Sequence, residues 1–159
     1  MAYRRVNMAE MVISSDNDVL AIHGLGSCLG LTIYDKSEGI GGMSHIMLPC
    51  NLANRPNVKP GKFVDSAIDE MVRELEKLGC NKKNLVAKIC GGSMMFQTSK
   101  DSENCIGTKN IVQSKKLLKE KGIPLLAEDV GGNYGRIVEF DVKSGRMIIR
   151  TVHGESKVI

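Results

Sequence analysis

The chain has 159 residues, of which 42% are hydrophobic and 25% are charged, and its formal net charge is +4 at pH 7. This length suffices for one domain with a substantial core and is too short for two ordinary domains, so we expect a single domain over residues 1–159. The basic residues are scattered and are not interleaved with aromatic residues, which argues against a nucleic-acid partner. No run of about 18 apolar residues is present, which predicts that the chain does not insert into a membrane.

The five cysteines indicate a protein that keeps its thiols reduced. Their number is odd and none are spaced as C-x-x-C, so neither a disulfide framework nor a zinc site is predicted. The first seven residues are basic but lack the apolar segment of a signal peptide. We therefore expect a cytoplasmic protein without a metal site.

The first part of the chain predicts four short strands, because apolar residues alternate with polar ones. These strands cover residues 10–14, 19–23, 28–34 and 42–48. Residues 50–61 contain three asparagines and two prolines, a composition typical of a surface loop.

The second part predicts two helices and four further strands. A stripe of apolar residues at helical spacing covers 62–78 and ends at Gly79, and a second helix over 108–121 ends at Gly122. The strands are predicted at 85–90, 125–129, 137–141 and 147–152. Many short strands, two helices and no strict alternation of strand and helix predict an α+β fold whose sheets are covered by helices.

The strands at 28–34 and 42–48 are predicted to form a hairpin around the turn residues 35–39. If the turn is centred between Lys36 and Ser37, Cys28 lies directly opposite His45, on the same face and with Cβ atoms about 4.5–5.5 Å apart. A slip of one residue would place the two side chains on opposite faces. An imidazole beside a thiol activates the thiol as a nucleophile, so this pair is the candidate catalytic centre.

The residues before Cys28 support the same interpretation. Gly26 and Ser27 predict a tight turn whose backbone N–H groups are placed to stabilise an oxyanion. The alternative for Cys28 is the usual role of a lone cysteine, that of a small buried hydrophobic residue. His23 and His153 are the alternative partners for the thiol.

Cys90 resembles Cys28 in that it ends a predicted strand before two glycines. No histidine is predicted opposite Cys90, so we interpret it as a core residue. The glycine pairs that follow do not match a phosphate-binding loop.

Six segments of the chain, in order, resemble the CheD family, the chemoreceptor glutamine deamidases of bacterial and archaeal chemotaxis. They include Leu25-Gly26-Ser27-Cys28 and Gly41-Gly42-Met43-Ser44-His45-Ile46-Met47-Leu48-Pro49, followed by residues 87–92, 106–110, 122–124 and 127–133. The resemblance implies hydrolysis of selected receptor glutamine side chains to glutamate. It also implies a fold similar to that of the deamidating cytotoxic necrotizing factor toxins, a β-sandwich-like arrangement of mixed sheets flanked by helices and bearing a Cys–His pair.

By position, the resemblance makes Cys28 the nucleophile and His45 the base, with no metal or organic cofactor. The family usually places a threonine six residues before the cysteine as a third member of the site, and here that residue is Ile22. An isoleucine side chain cannot hydrogen-bond to an imidazole. We therefore predict that a backbone carbonyl near residues 24–27 orients His45 instead.

The resemblance also implies partners. These are the cytoplasmic helices of chemoreceptors as substrate and the phosphatase CheC as a regulator. Two alternatives stay open at the level of sequence. The first is a catalytically weak adaptor that binds receptors or CheC, which the departure at Ile22 favours. The second is a receptor methylesterase that acts on the same side chains.

Overall fold

The computed structural model describes residues 1–95 and 105–159. In these ranges the chain forms two α-helices, α1 (Val64–Lys77) and α2 (Ile106–Glu120), and ten strands. The strands are β1 (Tyr3–Arg5), β2 (Met11–Ser14), β3 (Val19–Leu25), β4 (Leu29–Asp35), β5 (Ile40–Ile46), β6 (Val86–Gly91), β7 (Leu125–Val130), β8 (Arg136–Asp141), β9 (Met147–Thr151) and β10 (Ser156–Val158).

The strands make two mixed sheets of five strands each. The first has the order β1-β3-β8-β9-β10 and the second the order β2-β5-β4-β6-β7. The pairs β1–β3 and β6–β7 are parallel, and the remaining neighbours are antiparallel. Helix α2 makes the crossover between β6 and β7, as a parallel pair requires.

Two apolar cores set the order of the layers. One lies between the two sheets and includes Leu20, Ile22, Met43, Phe140 and Ile149. The other lies between the second sheet and the helices and includes Leu31, Ile33, Ile68, Met71 and Leu75. The expected α+β fold is therefore confirmed as a sheet–sheet–helix arrangement. In the described residues the helices cover only the second sheet. The outer face of the first sheet is exposed, as side chains such as Tyr3 and Ile137 show.

Both predicted helices are present, with starts that differ by two residues from the prediction. The start of α1 is delayed to Val64 because residues Pro60–Lys62 form a turn of 3-10 helix and Phe63 is extended. The start of α2 is advanced to Ile106 because Cys105 caps the helix, its Sγ accepting the N–H of Thr108 at 3.4 Å.

Strands β1 and β10 were not predicted. Each has three residues, all exposed, so neither carries the alternation of buried and exposed residues that marks a strand. They form because β1 pairs with β3 and β10 pairs with β9 at the two edges of the first sheet. No helix in the described ranges is long and apolar enough to cross a membrane.

Candidate active site

The β4–β5 hairpin is present, but its predicted register is wrong by two residues. Gly30, rather than Cys28, lies directly opposite His45. The cause is a turn of four residues, since Asp35 pairs with Ile40. The carboxylate of Asp35 stabilises this turn by accepting the backbone N–H groups of the second and third turn residues at 3.0 and 3.3 Å.

Because the shift is even, Cys28 and His45 keep the same face of the second sheet. Both lie on the side that faces the first sheet, with Cys28 just before β4 and diagonal to His45. Diagonal neighbours on a sheet typically lie about 7–8 Å apart. No hydrogen bond joins the Cys28 thiol to the His45 ring among the contacts of the described residues. Cys28 and His45 thus lie on the same face of one hairpin, with Gly30 directly opposite His45.

His45 is held in one orientation by the backbone. It is 4% exposed, and its Nδ1 lies 3.2 Å from the carbonyl oxygen of Val6. A carbonyl oxygen only accepts, so Nδ1 carries the hydrogen and Nε2 keeps its lone pair. Nε2 has no hydrogen-bond partner in the described part of the chain. Burial lowers the pKa of His45, outweighing the hydrogen bond to Val6 and the charge of Glu10, which both raise it. The ring is therefore neutral at pH 7, with Nε2 available as a base.

The predicted position of the carbonyl that orients His45, near residues 24–27, is wrong. A backbone carbonyl does orient His45, but Val6, just after β1, supplies it, and not residues 24–27. Ile22 is fully buried, and its Cδ1 lies 3.2 Å from the position that a Cβ on Gly30 would occupy. The isoleucine thus packs over the glycine that lies opposite His45 and contributes only apolar surface.

Cys28 is half-buried, and burial raises the pKa of its thiol. At pH 7 the resting thiol of Cys28 and the resting imidazole of His45 are therefore both neutral. A thiol in this state can act as a nucleophile at pH 7 only if a base accepts its proton during the attack.

The turn before Cys28 is anchored through its carbonyl groups. The N–H of Ser93 donates to the carbonyl of Gly26 at 3.0 Å, and the N–H of Gly92 donates to the carbonyl of Cys28 at 2.9 Å. The N–H groups of Ser27 and Cys28 themselves have no acceptor within residues 1–95 and 105–159. Fixed donors without an internal acceptor are what an oxyanion site requires.

Asn110 is a residue of this site that the sequence reasoning did not single out. It lies on α2 and is fully buried, and its Nδ2 donates to the carbonyls of Ser27 and Met47 at 3.3 and 3.2 Å. The only signal was its place in the segment 106–110 that resembles the CheD family.

The alternative histidines are not placed as His45 is. The guanidinium of Arg5 donates to Nδ1 of His23 at 2.8 Å, so Nε2 of His23 carries the hydrogen and donates to the hydroxyl of Tyr3 at 2.8 Å. Neither nitrogen of His23 has a free lone pair. His153 is exposed, and its ring meets the ring of Tyr134 edge-on at 6.2 Å between centroids.

Cys90 lies in the core between the sheets, as predicted. It is fully buried, and burial raises the pKa of its thiol to about 12. Cys90 lies on β6 and pairs with Gly30 of β4, whose other neighbouring strand is β5. The side chains around Cys90 are apolar.

A cavity of about 280 Å³ opens beside His45, and His23, Arg5 and Gly24 also line it. In the described ranges, no three His, Cys, Asp or Glu side chains are grouped so as to hold a metal ion. The groups that the hairpin and the preceding turn place on this face are the Cys28 thiol, the His45 imidazole and backbone N–H donors.

Comparison with known proteins decides the family. Residues 47–151 match the model of the family described as CheD chemotactic sensory transduction. The chain belongs to the CheD family. A probable chemoreceptor glutamine deamidase CheD from Caldanaerobacter subterraneus subsp. tengcongensis is 40% identical over 152 residues, which cover 94% of each chain. A second protein of that name, from Clostridium botulinum strain Hall, is 46% identical over 149 residues, which cover 93% of this chain and 92% of the relative.

Among solved structures, the chain is similar to the Bacillus licheniformis hypothetical protein YfiH. The TM-score is 0.45 with 16% identity, covering 75% of this chain and 49% of that one. This similarity is too low to carry an argument about the fold. The expected similarity to deamidating toxins is not confirmed by it.

Proposed function

We propose that this CheD-family chain is a chemoreceptor glutamine deamidase, which hydrolyses the γ-carboxamide of selected receptor glutamines to glutamate and ammonia. The observation that carries the proposal is the state of His45. Its Nδ1 is engaged by the Val6 carbonyl and its Nε2 is free, on the same face as Cys28. The relatives described as probable chemoreceptor glutamine deamidases, which this chain covers over more than nine-tenths of their length, support the choice of substrate.

The reaction begins when Sγ of Cys28 attacks the carboxamide carbon while Nε2 of His45 accepts the thiol proton. The negative charge that develops on the carboxamide oxygen is stabilised by the N–H groups of Ser27 and Cys28. Transfer of the proton from His45 to the amide nitrogen then releases ammonia and leaves a thioester on Cys28.

Water completes the cycle. His45 removes a proton from a water molecule, which attacks the thioester carbon, and the Cys28 thiol leaves with that proton as glutamate is released. The steps use only groups of this chain and water.

The proposal includes several finer points. Residues 1–159 act as one deamidase domain in the cytoplasm, and the sandwich carries its Cys–His pair as in the deamidating toxins. The substrate segments are the cytoplasmic helices of chemoreceptors, and CheC is a candidate regulator. The support for these points is the family membership and the location of both side chains between the two sheets.

A catalytically weak adaptor is the second candidate, because two observations favour it. Ile22 gives His45 no hydrogen bond, and burial raises the pKa of Cys28 and so reduces its thiolate fraction at neutral pH. Such a protein would bind receptors or CheC without turnover.

The test is mass spectrometry of purified receptor cytoplasmic fragments before and after incubation with the protein. Deamidation gives the mass increase of an amide replaced by a carboxyl group, at specific glutamines. Fragments carrying methyl-glutamate at the same positions test the methylesterase alternative. Binding of the fragments without any mass change would support the adaptor and contradict the deamidase.

A further inference from the structure

The side chain of Asn110 joins the two chain segments that carry the candidate catalytic residues. Ser27, whose carbonyl accepts from Nδ2 at 3.3 Å, immediately precedes Cys28. Met47, whose carbonyl accepts from Nδ2 at 3.2 Å, lies two residues after His45. One carboxamide on α2 therefore connects the turn formed by residues 26–28, here called the nucleophile turn, to the end of β5.

The orientation of this carboxamide is fixed by its partners. Both partners are carbonyl oxygens, which only accept, so Nδ2 has to face them and uses both of its hydrogens. The other atom, Oδ1, is buried without a hydrogen-bond partner among the described residues. A buried acceptor without a donor is unfavourable and rare in folded proteins. The same amide thus has an unpaired acceptor atom and donates two hydrogen bonds to residues adjacent to Cys28 and His45.

Helix α2 is well placed to hold the amide rigidly. Gly107, in its first turn, packs against the backbone of Gly92 and Ser93, where a Cβ would come within 2.5 Å of two carbonyl oxygens. Gly92 and Ser93 in turn donate to the carbonyls of Cys28 and Gly26. The nucleophile turn is thus anchored both by the loop after β6 and, through Asn110, by the helix that rests on that loop.

We propose that Asn110 is a positioning residue, which fixes the distance and orientation of Cys28 relative to His45 by donating to the Ser27 and Met47 carbonyls. This inference rests on the proposed Cys28–His45 site. The proposed role has a specific consequence. Loss of the two donated hydrogen bonds slows proton transfer from the Cys28 thiol to Nε2 of His45, and has a much smaller effect on the reactivity of the Cys28 thiolate once it has formed.

The first test measures deamidation of receptor fragments by Asn110→Ala and Asn110→Asp. The aspartate keeps the shape of the side chain but donates at most one hydrogen bond in the neutral form that burial favours, and none when ionised, so at least one of the two bonds is lost. We expect kcat to fall about 10- to 100-fold in both variants, because small misplacements of reacting groups have effects of this size. KM should change less than about twofold, because Asn110 is buried and meets no substrate.

The matched control is Ser114→Ala. Ser114 is equally buried on α2, and its hydroxyl donates within the helix to the carbonyl of Ile111 at 2.8 Å. We expect this variant to keep its kcat even if its melting temperature falls. A similar loss of kcat in Ser114→Ala and Asn110→Ala variants of equal melting temperature would overturn the proposal, because it would show a general effect of disturbing the helix.

The second test does not depend on deamidation. It follows alkylation of Cys28 by iodoacetamide, with peptide mapping to separate Cys28 from the other cysteines. The His45-dependent part of the alkylation rate is defined as the difference, at neutral pH, between the rate of the unmodified protein and the rate of His45→Asn. We expect Asn110→Ala to remove most of that part as well, and the double variant to be no slower than His45→Asn alone. At a pH above the Cys28 pKa, where no base is needed, the rates of all variants should converge.

Equal slowing at both pH values, additive effects in the double variant, or a rate without any His45-dependent part would overturn the positioning role. If the alkylation pattern holds and receptor fragments are not deamidated, Asn110 still positions the pair and the proposed function alone fails.

Discussion

His45 and His23 line the same cavity, yet only one of them is in a state to act as a base. In His45 the backbone carbonyl of Val6 engages one ring nitrogen and leaves the other free. In His23 the side chains of Arg5 and Tyr3 engage both ring nitrogens. The partners of both rings come from the same short N-terminal segment.

The comparison shows that the distance of a histidine from a cysteine in the sequence is a weak guide to its role. His23 is five residues from Cys28, and His45 is seventeen residues from it. The role is decided by which nitrogen keeps a lone pair, and this depends on β1, a strand of three exposed residues.

The change with the largest expected effect is Cys28→Ala, which removes the proposed nucleophile. We expect at least about a 1,000-fold loss of kcat/KM, because removal of a covalent nucleophile removes the main reaction path. Cys50→Ala is the control, since Cys50 is also half-buried and lies outside the site. Activity retained in a folded Cys28→Ala variant would exclude Cys28 as the nucleophile.

The next effect in size separates the two histidines directly. In His45→Asn the shorter amide supplies no base, so we expect kcat to fall about 100- to 10,000-fold, the usual contribution of general acid–base catalysis. In His23→Asn we expect less than about a twofold change, because both nitrogens of His23 are already occupied. Steady-state kinetics of both variants on the same receptor fragment gives the ratio. Equal losses would contradict the assignment.

A smaller effect is expected for Ile22→Thr, which introduces the threonine that the sequence resemblance implies at this position. The Val6 carbonyl already orients His45, so we expect a change in deamidation rate of less than about tenfold, equivalent to about 1.4 kcal/mol of barrier. A much larger gain would show that the natural chain is catalytically impaired and would favour the adaptor function.

The smallest effect is that of mild acid on the unmodified protein. His45 acts as a base in its neutral form, so activity is lost as pH falls through its pKa, which burial holds below 6.5. Between about pH 7.5 and 6.5 we therefore expect kcat/KM to fall less than about twofold. A midpoint above 6.5 would mean that an acidic group stabilises the imidazolium and that the resting pair is charged.

The hairpin illustrates how far the sequence could predict the site. Alternating residues and the turn chemistry of residues 35–39 located both strands and the face that Cys28 and His45 share. The exact pairing was wrong by two residues, because it depends on the length of the turn that the Asp35 carboxylate stabilises. Periodicity of two fixes the face of a strand residue but not its partner.

The groups that contact the candidate pair could not be predicted from the sequence, for a physical reason. The group that orients His45 is a main-chain carbonyl, which every residue possesses, so Val6 carries no recognisable signal. Asn110 acts from a helix 83 residues away from Ser27 in the chain, through contacts that only the packing of α2 creates. The helix ends could be predicted from Gly79 and Gly122, because glycine readily adopts the positive φ with which many helices end. Both glycines have positive φ in the structure.

The most direct measurement of the central claim is identification of the covalent intermediate. Receptor fragment and protein are mixed, quenched in acid within one turnover and digested, and the peptide containing Cys28 is analysed by mass spectrometry. The account predicts a thioester between the Sγ of Cys28 and the glutamine acyl group, with the mass of the substrate peptide less one ammonia, and no such adduct in Cys28→Ala. Deamidation that proceeds with unmodified Cys28, or with the adduct on Cys50 or Cys105, would contradict it.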